Sequence, residues 1–341
     1  MKQKKRKGYA KYGYIFALPF TIAFLIFSLY PILYTLTIGF TDLKGLGNTN
    51  FHFLADDPFK NYRAILTSET FRTALKNTVK IWLCNFIPQI VLALFLTAAF
   101  TDRRTKIRGQ GIFKVLFYMP NIITAATIAI LFNAMFGYPM GPMNDLLATA
   151  NKVRFLHGIL DKMGLGNPPV YFLQSKATAQ KVVIFIQTWM WYGYTMINLI
   201  SGVLGISPDI FEAAEVDGAN RIQTFFLITI PNIKTILLFT LVTSLIGGLS
   251  MFDIPKLFLL GGPDNATLTT SVFIYNQAFS GSYMYNRASA ASMIMFLIMV
   301  VCSAVMFFLL RDKDEIRLQK EKKAWMKAEL ERQKREEAAA K

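Results

Sequence analysis

Residues 205–231 read GISPDIFEAAEVDGANRIQTFFLITIP, with Glu212, Glu215 and Asp217 crowded into a segment that lies between two long apolar runs. Lysine and arginine, not acids, mark the retained side of a membrane protein, and acids count little in that rule. The acids therefore need a reason other than insertion. Local chemistry supplies a shape first. Ser207 is a good N-cap and Pro208 a good first helical residue. Asp209 sits in the first turn, where the helix dipole favours an acid. A helix is expected over 208–216, ended by Gly218 in a left-handed conformation. A second helix is expected from about Asn220, with Ile222, Phe225, Phe226 and Ile230 for packing and Pro231 at the entry to the next apolar run. Glu212 and Glu215 are neighbours at i, i+3 on one face. Ala213 and Ala214 keep the surface thin enough for close approach. The segment 206–231 thus reads as a compact helix–turn–helix, a knob for a socket lined by apolar and basic groups.

The surrounding chain makes this a membrane problem. It has 341 residues, of which 53% are hydrophobic and only 17% charged, with a mean hydropathy of +0.37. Soluble domains carry about 25% charged residues, so the reading is an all-α polytopic membrane protein. A helix spanning the hydrocarbon core takes about 20 apolar residues. Six stretches qualify: 14–40, 78–100, 115–136, 182–205, 233–257 and 288–310, the second interrupted by Asn85, Pro88 and Gln89. The basic N-terminus followed by an apolar run imitates a signal peptide. That run continues to about Phe40, whereas a signal core spans only about 7–15 residues, so an uncleaved first transmembrane helix is expected.

Charge position gives the orientation. The net charge of +16 sits in short clusters beside apolar runs, the positive-inside pattern, and not along one polar face as nucleic-acid binding would ask. Lys2, Lys4, Lys5, Arg6, Lys7 and Lys11 precede the first span. Arg103, Arg104, Lys106, Arg108 and Lys114 lie between the second and third, and Arg311 and Lys313 follow the last. With six spans these clusters share one side. A basic cytoplasmic tail (1–12), a transmembrane domain (13–310) and a charged cytoplasmic tail (311–341) follow, with the 206–231 segment cytoplasmic too. The outer side then holds 41–77, 137–181 and 258–287. The last tail has Glu–Lys pairs at helical spacing; it reads as a solvated helix or as a binder of anionic lipid.

Polar groups inside the spans are few: Asn85, Gln89, Asn121, Asn133, Gln187, Asn198 and Asp253. The fourth span adds Trp189, Trp191, Tyr192 and Tyr194. Aromatic residues at this density form either an interfacial belt or, near mid-membrane, a platform on which the apolar C–H faces of a sugar stack, with Asn198 for its hydroxyls. Asp253 is costly within an apolar run; it lines a pathway, pairs with Lys256 or is solvated near the outer end of its span. Prolines and glycines recur in the spans (Pro19, Pro31, Pro88, Pro120, Pro255, Gly247, Gly248), as in bundles with an internal path or in helices kinked for packing.

Enzyme signatures are missing. There is no GxxxxGK[ST], GxSxG, HExxH or CxxC, so the chain binds no nucleotide through a P-loop. Cys84 and Cys302 lie apart in apolar runs, and His52 and His157 lie in outer loops. No metal or other cofactor is expected.

At this point the residues acquire a precedent. Glu212-Ala213-Ala214, Gly218, Ile228 and Pro231 resemble, in identity and spacing, the EAA motif of permease subunits of binding-protein-dependent ABC importers; Asp217-Gly218-Ala219 is similar to the sugar-permease branch. Ile230 stands where the pattern prefers Leu. Outside the motif, 260–263 (LGGP) with Thr267, 274–279 (IYNQAF), Arg287 leading into 288–291 (ASAA) and 141–147 (GPMNDLL) also look like this branch. The resemblance covers roughly residues 10–310 and implies the type I ABC importer permease fold in a bacterial inner membrane. It implies a second homologous permease, two cytoplasmic ATPase subunits that carry the ATP and Mg, and an external or periplasmic sugar-binding protein. Glu212, Ala213, Ala214, Glu215, Asp217, Gly218 and Pro231 would couple to the ATPase. Trp189, Trp191, Tyr192, Tyr194, Asn198 and Asp253 would line the sugar path. The competing class is a stand-alone secondary transporter or channel for a small polar solute.

Overall fold

The computed structural model describes residues 10–105, 107–281, 283–310, 321–326, 328–329 and 331–332. Among these, regular structure is helical apart from one isolated bridge between Thr41 and Phe53. Most of the basic N-terminal tail and much of the charged C-terminal tail lie outside the described residues; 321–326, 328–329 and 331–332 are helical.

The apolar runs become helices with proline-dependent detail. Helix α1 (Tyr12–Ile38) carries a π-helical stretch over Leu25–Leu29, closed by the Tyr30 N–H on the Leu25 carbonyl. Pro31 follows two residues later. A proline cannot pair with the carbonyl four residues back, and widening the preceding turn by one residue accommodates the loss. After α2 (Lys60–Thr67), α3 (Glu69–Thr101) runs 33 residues straight through Pro88. Its supposed interruptions are absorbed by partners: Gln89 Nε2 donates to Thr195 Oγ1 at 2.7 Å and Thr188 Oγ1 to the Asn85 carbonyl at 3.3 Å.

The third expected span, 115–136, is not one helix. The chain forms α4 (Gln110–Ile122) and α5 (Ala125–Met135), bent by 93°. Pro120 weakens the last turn of α4, Ile123 is extended, and Thr124 Oγ1 receives the Thr127 N–H at 3.3 Å to start α5. Then come α6 (Pro142–Ala150), α7 (Arg154–Lys162) and α8 (Lys176–Leu204), which meets α9 (Pro208–Val216) at 77°. The chain continues through α10 (Arg221–Gln223), a π-helical stretch Thr224–Thr229 and α11 (Ile230–Asn232). It ends with α12 (Lys234–Leu249), α13 (Asp253–Leu259), α14 (Thr270–Phe279) and α15 (Tyr285–Leu310). Among the described residues four segments are long and apolar enough to cross a membrane alone, Tyr12–Ile38, Glu69–Thr101, Lys234–Leu259 and Tyr285–Leu309, and up to six if each bent pair is one span.

Packing divides the chain into two compact units. One comprises residues up to Ile81, Ala129–Val183 and Leu249–Met299. Polar side chains organise it: buried Asn61 donates to the Gly39 and Thr41 carbonyls at 3.0 and 2.8 Å and accepts from Asn286 at 3.2 Å. The other comprises Trp82–Ile128, Ile184–Gly248 and the residues from Val300 on. Its core gathers Ala93, Phe100, Met196, Leu199, Ile200, Val203 and Ile233. Here α4 lies backbone-close on α8: a Cβ added at Gly193 would stand 1.8 Å from the Phe117 carbonyl oxygen, so only glycine fits.

Candidate functional site

The acidic segment folds as its residues dictate. Helix α9 ends in a Schellman arrangement: the Gly218 N–H donates to the Glu215 carbonyl at 3.1 Å and the Ala219 N–H to the Ala214 carbonyl at 2.9 Å. Gly218 has φ +75°, the left-handed region that a side chain disfavours. Asn220 then closes a capping box with Gln223, its side chain accepting the Gln223 N–H at 2.9 Å and its own N–H reaching Gln223 Oε1 at 2.8 Å. One expectation is corrected: the Ser207 hydroxyl does not cap the helix but donates to Asp209 Oδ2 at 3.2 Å, so Pro208 and Asp209 carry the start. The π-helical stretch Thr224–Thr229 sits two residues before Pro231, repeating the device of α1.

The two alanines, adjacent on α9, differ in burial. Ala214 is buried and Ala213 is exposed. The smallness of Ala214 therefore serves packing within this chain, and Ala213 belongs to the outward face with Glu212 and Val216, which is 88% exposed. Pro231 is exposed.

A neighbouring loop grips this helix–turn–helix. Arg103 Nη1 lies 3.7 Å from Glu212 Oε1 and donates to the Pro208 carbonyl at 3.4 Å, with its guanidinium 5.2 Å from the Phe211 ring centroid. Arg104 Nε donates to Glu215 Oε1 at 3.2 Å and its Nη2 to the Ala219 carbonyl at 2.7 Å. Asp102 Oδ2 accepts from Arg221 Nε at 3.3 Å. Below this loop a groove of about 760 Å³ is walled by Val91, Phe95, Phe211, Ile222 and Phe226. The sequence reading missed the acid–base role of Asp102, Arg103 and Arg104, treating the arginines only as orientation signals. The available sign was an acid and two bases in a row, on the same expected side as three acids.

Of the residues expected to line a path, Trp191 and Tyr194 are exposed and pack edge to face at 5.8 Å. Asn198 is half-buried one turn beyond Tyr194, so these three share a stripe of α8. Trp189 and Tyr192 fall outside it; Tyr192 packs on Phe117 at 6.1 Å. Asp253, in the other unit, is the exposed first residue of α13. It does not pair with Lys256, which donates instead to Asn276 Oδ1 at 2.8 Å and lies 4.5 Å from the Tyr275 ring centroid.

Residues 78–312 match the family model described as "Binding-protein-dependent transport system inner membrane component". The chain belongs to this family. The permease is 30% identical to the lactose transport system permease protein LacF of Rhizobium radiobacter, over 90% of this chain and 97% of that protein. It is 29% identical to the arabinooligosaccharides transport system permease protein AraP of Bacillus subtilis, over 84% and 85%. It is 28% identical to the multiple sugar-binding transport system permease protein MsmF of Streptococcus mutans, over 88% and 96%. A chain from a crystal structure of a bacterial ABC transporter importing the polysaccharide alginate matches with a TM-score of 0.69, covering 87% of this permease and 94% of that chain at 23% identity. That likeness establishes the shared fold. The permease is a multi-pass membrane protein and a transport component, and its motif sits on the exposed helix–turn–helix described above.

Proposed function

We propose that this permease forms half of the translocation path of an ATP-driven sugar importer in a bacterial inner membrane, with both termini and the 206–231 segment cytoplasmic. The observation that carries the sugar reading is the near full-length similarity to permeases named for lactose, arabinooligosaccharides and multiple sugars. A neutral sugar is favoured because the spans hold almost no basic residues. The partners in this reading are a second, similar permease, two ATPase subunits that hold the ATP and Mg, and an external sugar-binding protein; the permease itself holds no cofactor.

Helix α9 is the coupling element. Glu212, Ala213 and Val216 face outward, supporting Glu212 as the charge-assisted contact to the ATPase, with Ala213 leaving room for approach. Ala214 and Gly218 shape the helix and its turn, Glu215 and Asp217 add charge near its end, and Pro231 starts the next span. Closure of the ATPases on ATP would pull on this helix and move the spans attached to it. For the sugar, Trp191, Tyr194 and Asn198 offer two rings and an amide on one stripe of α8, with Trp189 and Tyr192 as further candidates on the same helix.

The test is uptake in cells expressing the whole transporter, with radiolabelled lactose, maltose, trehalose and arabinotriose as probes. Glu212→Ala and Gly218→Pro are expected to abolish uptake of the transported sugar while the complex assembles, and Lys322→Ala is expected to leave it unchanged. Normal uptake in both motif variants overturns the coupling assignment. Trp191→Ala and Asn198→Ala are expected to weaken uptake affinity; unchanged affinity and rate in both removes the stripe from the path.

A further inference from the structure

The two glutamates of the EAA segment are held differently by the same chain. Glu215 is bonded by the Arg104 guanidinium at 3.2 Å, and the same guanidinium also holds the Ala219 carbonyl at 2.7 Å. Arg104 thus ties the end of α9 to the chain beyond the Gly218 turn. Glu212 is 70% exposed at its side chain and stands 3.7 Å from Arg103, an ion pair beyond hydrogen-bond distance. Arg103 has other holds on α9, the Pro208 carbonyl and the face of Phe211, so it stays in place when Glu212 takes another partner. Asp102 completes the set on Arg221, at the start of the second helix. Three consecutive residues after α3 therefore reach the start of α9, its end and turn, and the helix after the turn.

We infer that Asp102-Arg103-Arg104 is a clamp fixing the coupling helix to the end of α3, with Arg104 as the positioning residue, Glu215 as its internal counter-charge and Glu212 left for the ATPase. This rests on the coupling reading proposed above and divides its two acids between two duties. The chemistry supports the division. A guanidinium bonding a carboxylate and a carbonyl at once fixes direction as well as charge, which a lysine ammonium does not. Single exposed ion pairs hold little, whereas several charges in one network hold more. A push on α9 then reaches α3 through side-chain bonds in addition to the backbone route through α8.

The experiment uses the full-length permease in nanodiscs and the assembled transporter. Hydrogen–deuterium exchange over 209–219 is expected to speed up about five- to tenfold in Arg104→Ala, the change that loss of its two partly solvated bonds gives, and to change little in Glu212→Ala or in the same-loop control Arg108→Ala. ATP hydrolysis by the assembled Arg104→Ala transporter is expected to continue while uptake falls, so that more ATP is spent per sugar moved. Arg104→Lys is expected to fall between the two. Reversal of the pair, Arg104→Glu with Glu215→Arg, is expected to restore part of the slow exchange that Arg104→Glu alone loses, since the ion pair returns but the bond to the Ala219 carbonyl does not. Unchanged exchange in Arg104→Ala, or no rescue by the reversed pair, overturns the clamp. Faster exchange with an unchanged ATP-to-sugar ratio overturns its role in coupling. Normal uptake in Glu212→Ala with faster exchange in Arg104→Ala removes the coupling reading and leaves the clamp standing as a structural device.

Discussion

The acidic segment 208–221 and the loop 261–270 are both held by side chains distant in sequence, yet the balance of charged and neutral contacts differs between them. The first is gripped by Asp102, Arg103 and Arg104 through charges whose side chains remain partly in water. The second carries one exposed ion pair, Lys176 Nζ to Asp264 Oδ2 at 3.4 Å, and is otherwise gripped by neutral groups. Asn77 Nδ2 donates to the Asn265 and Leu268 carbonyls at 2.7 and 3.2 Å, and Gln180 Nε2 to the Ala266 carbonyl at 2.9 Å and to Asn77 Oδ1 at 3.3 Å. Thr78 Oγ1 accepts the Thr270 N–H at 2.9 Å, with both threonines fully buried. The buried members of this network, Gln180, Thr78 and Thr270, are costly to unpair, because a freed buried group lacks water. A surface charge network is cheap to break and remake, because water and other charges stand ready. A segment that must bind and release a partner suits the second kind; a loop that must stay put suits the first.

The largest effect that sharpens this contrast is expected in the neutral loop. Asn77→Leu removes the part-buried bonds to the Leu268 carbonyl and from Gln180 and the exposed one to the Asn265 carbonyl, at about 2–3 kcal/mol. It should lower the thermal midpoint of the detergent-solubilised permease, independently of salt. Next comes Thr78→Val, which leaves the buried Thr270 N–H without its acceptor, at about 1–3 kcal/mol. Gly218→Val forces a β-branched residue into φ +75°, at about 1–2 kcal/mol; its signature should be lost uptake with near-normal yield, the reverse of the loop variants. The smallest effect is ionic. Raising NaCl from about 0.05 to about 0.5 M shortens the screening length severalfold and should modestly speed exchange over 209–219, and speed 265–270 less, where one ion pair stands among neutral bonds. Equal salt sensitivity in both segments would collapse the distinction.

Much of this was legible in the chain because membranes and helix ends impose strong local rules. Apolar length marked the spans, and Gly218 with Pro208 bounded α9. Other features depended on partners the sequence does not announce. Asn85, Pro88 and Gln89 read as breaks, but Thr188 and Thr195 satisfy the groups around them and α3 continues. The third span read as one helix, because apolar length carries no information on direction, and it bends by 93°. Ser207 was expected to accept a backbone N–H as a cap and instead its hydroxyl donates to Asp209, a choice between a local donor and a local acceptor that propensity cannot rank.

By itself the sequence determined the class of the molecule, the positions of its apolar helices, and the motif with its turn, since hydrophobicity, proline, glycine and capping act over a few residues. Only the tertiary structure decided which alanine of the motif is buried and which aromatics of α8 share a stripe. It alone assigned Arg104 to Glu215 and left Glu212 loosely paired, because a loop and a helix more than a hundred residues apart in sequence meet through folding.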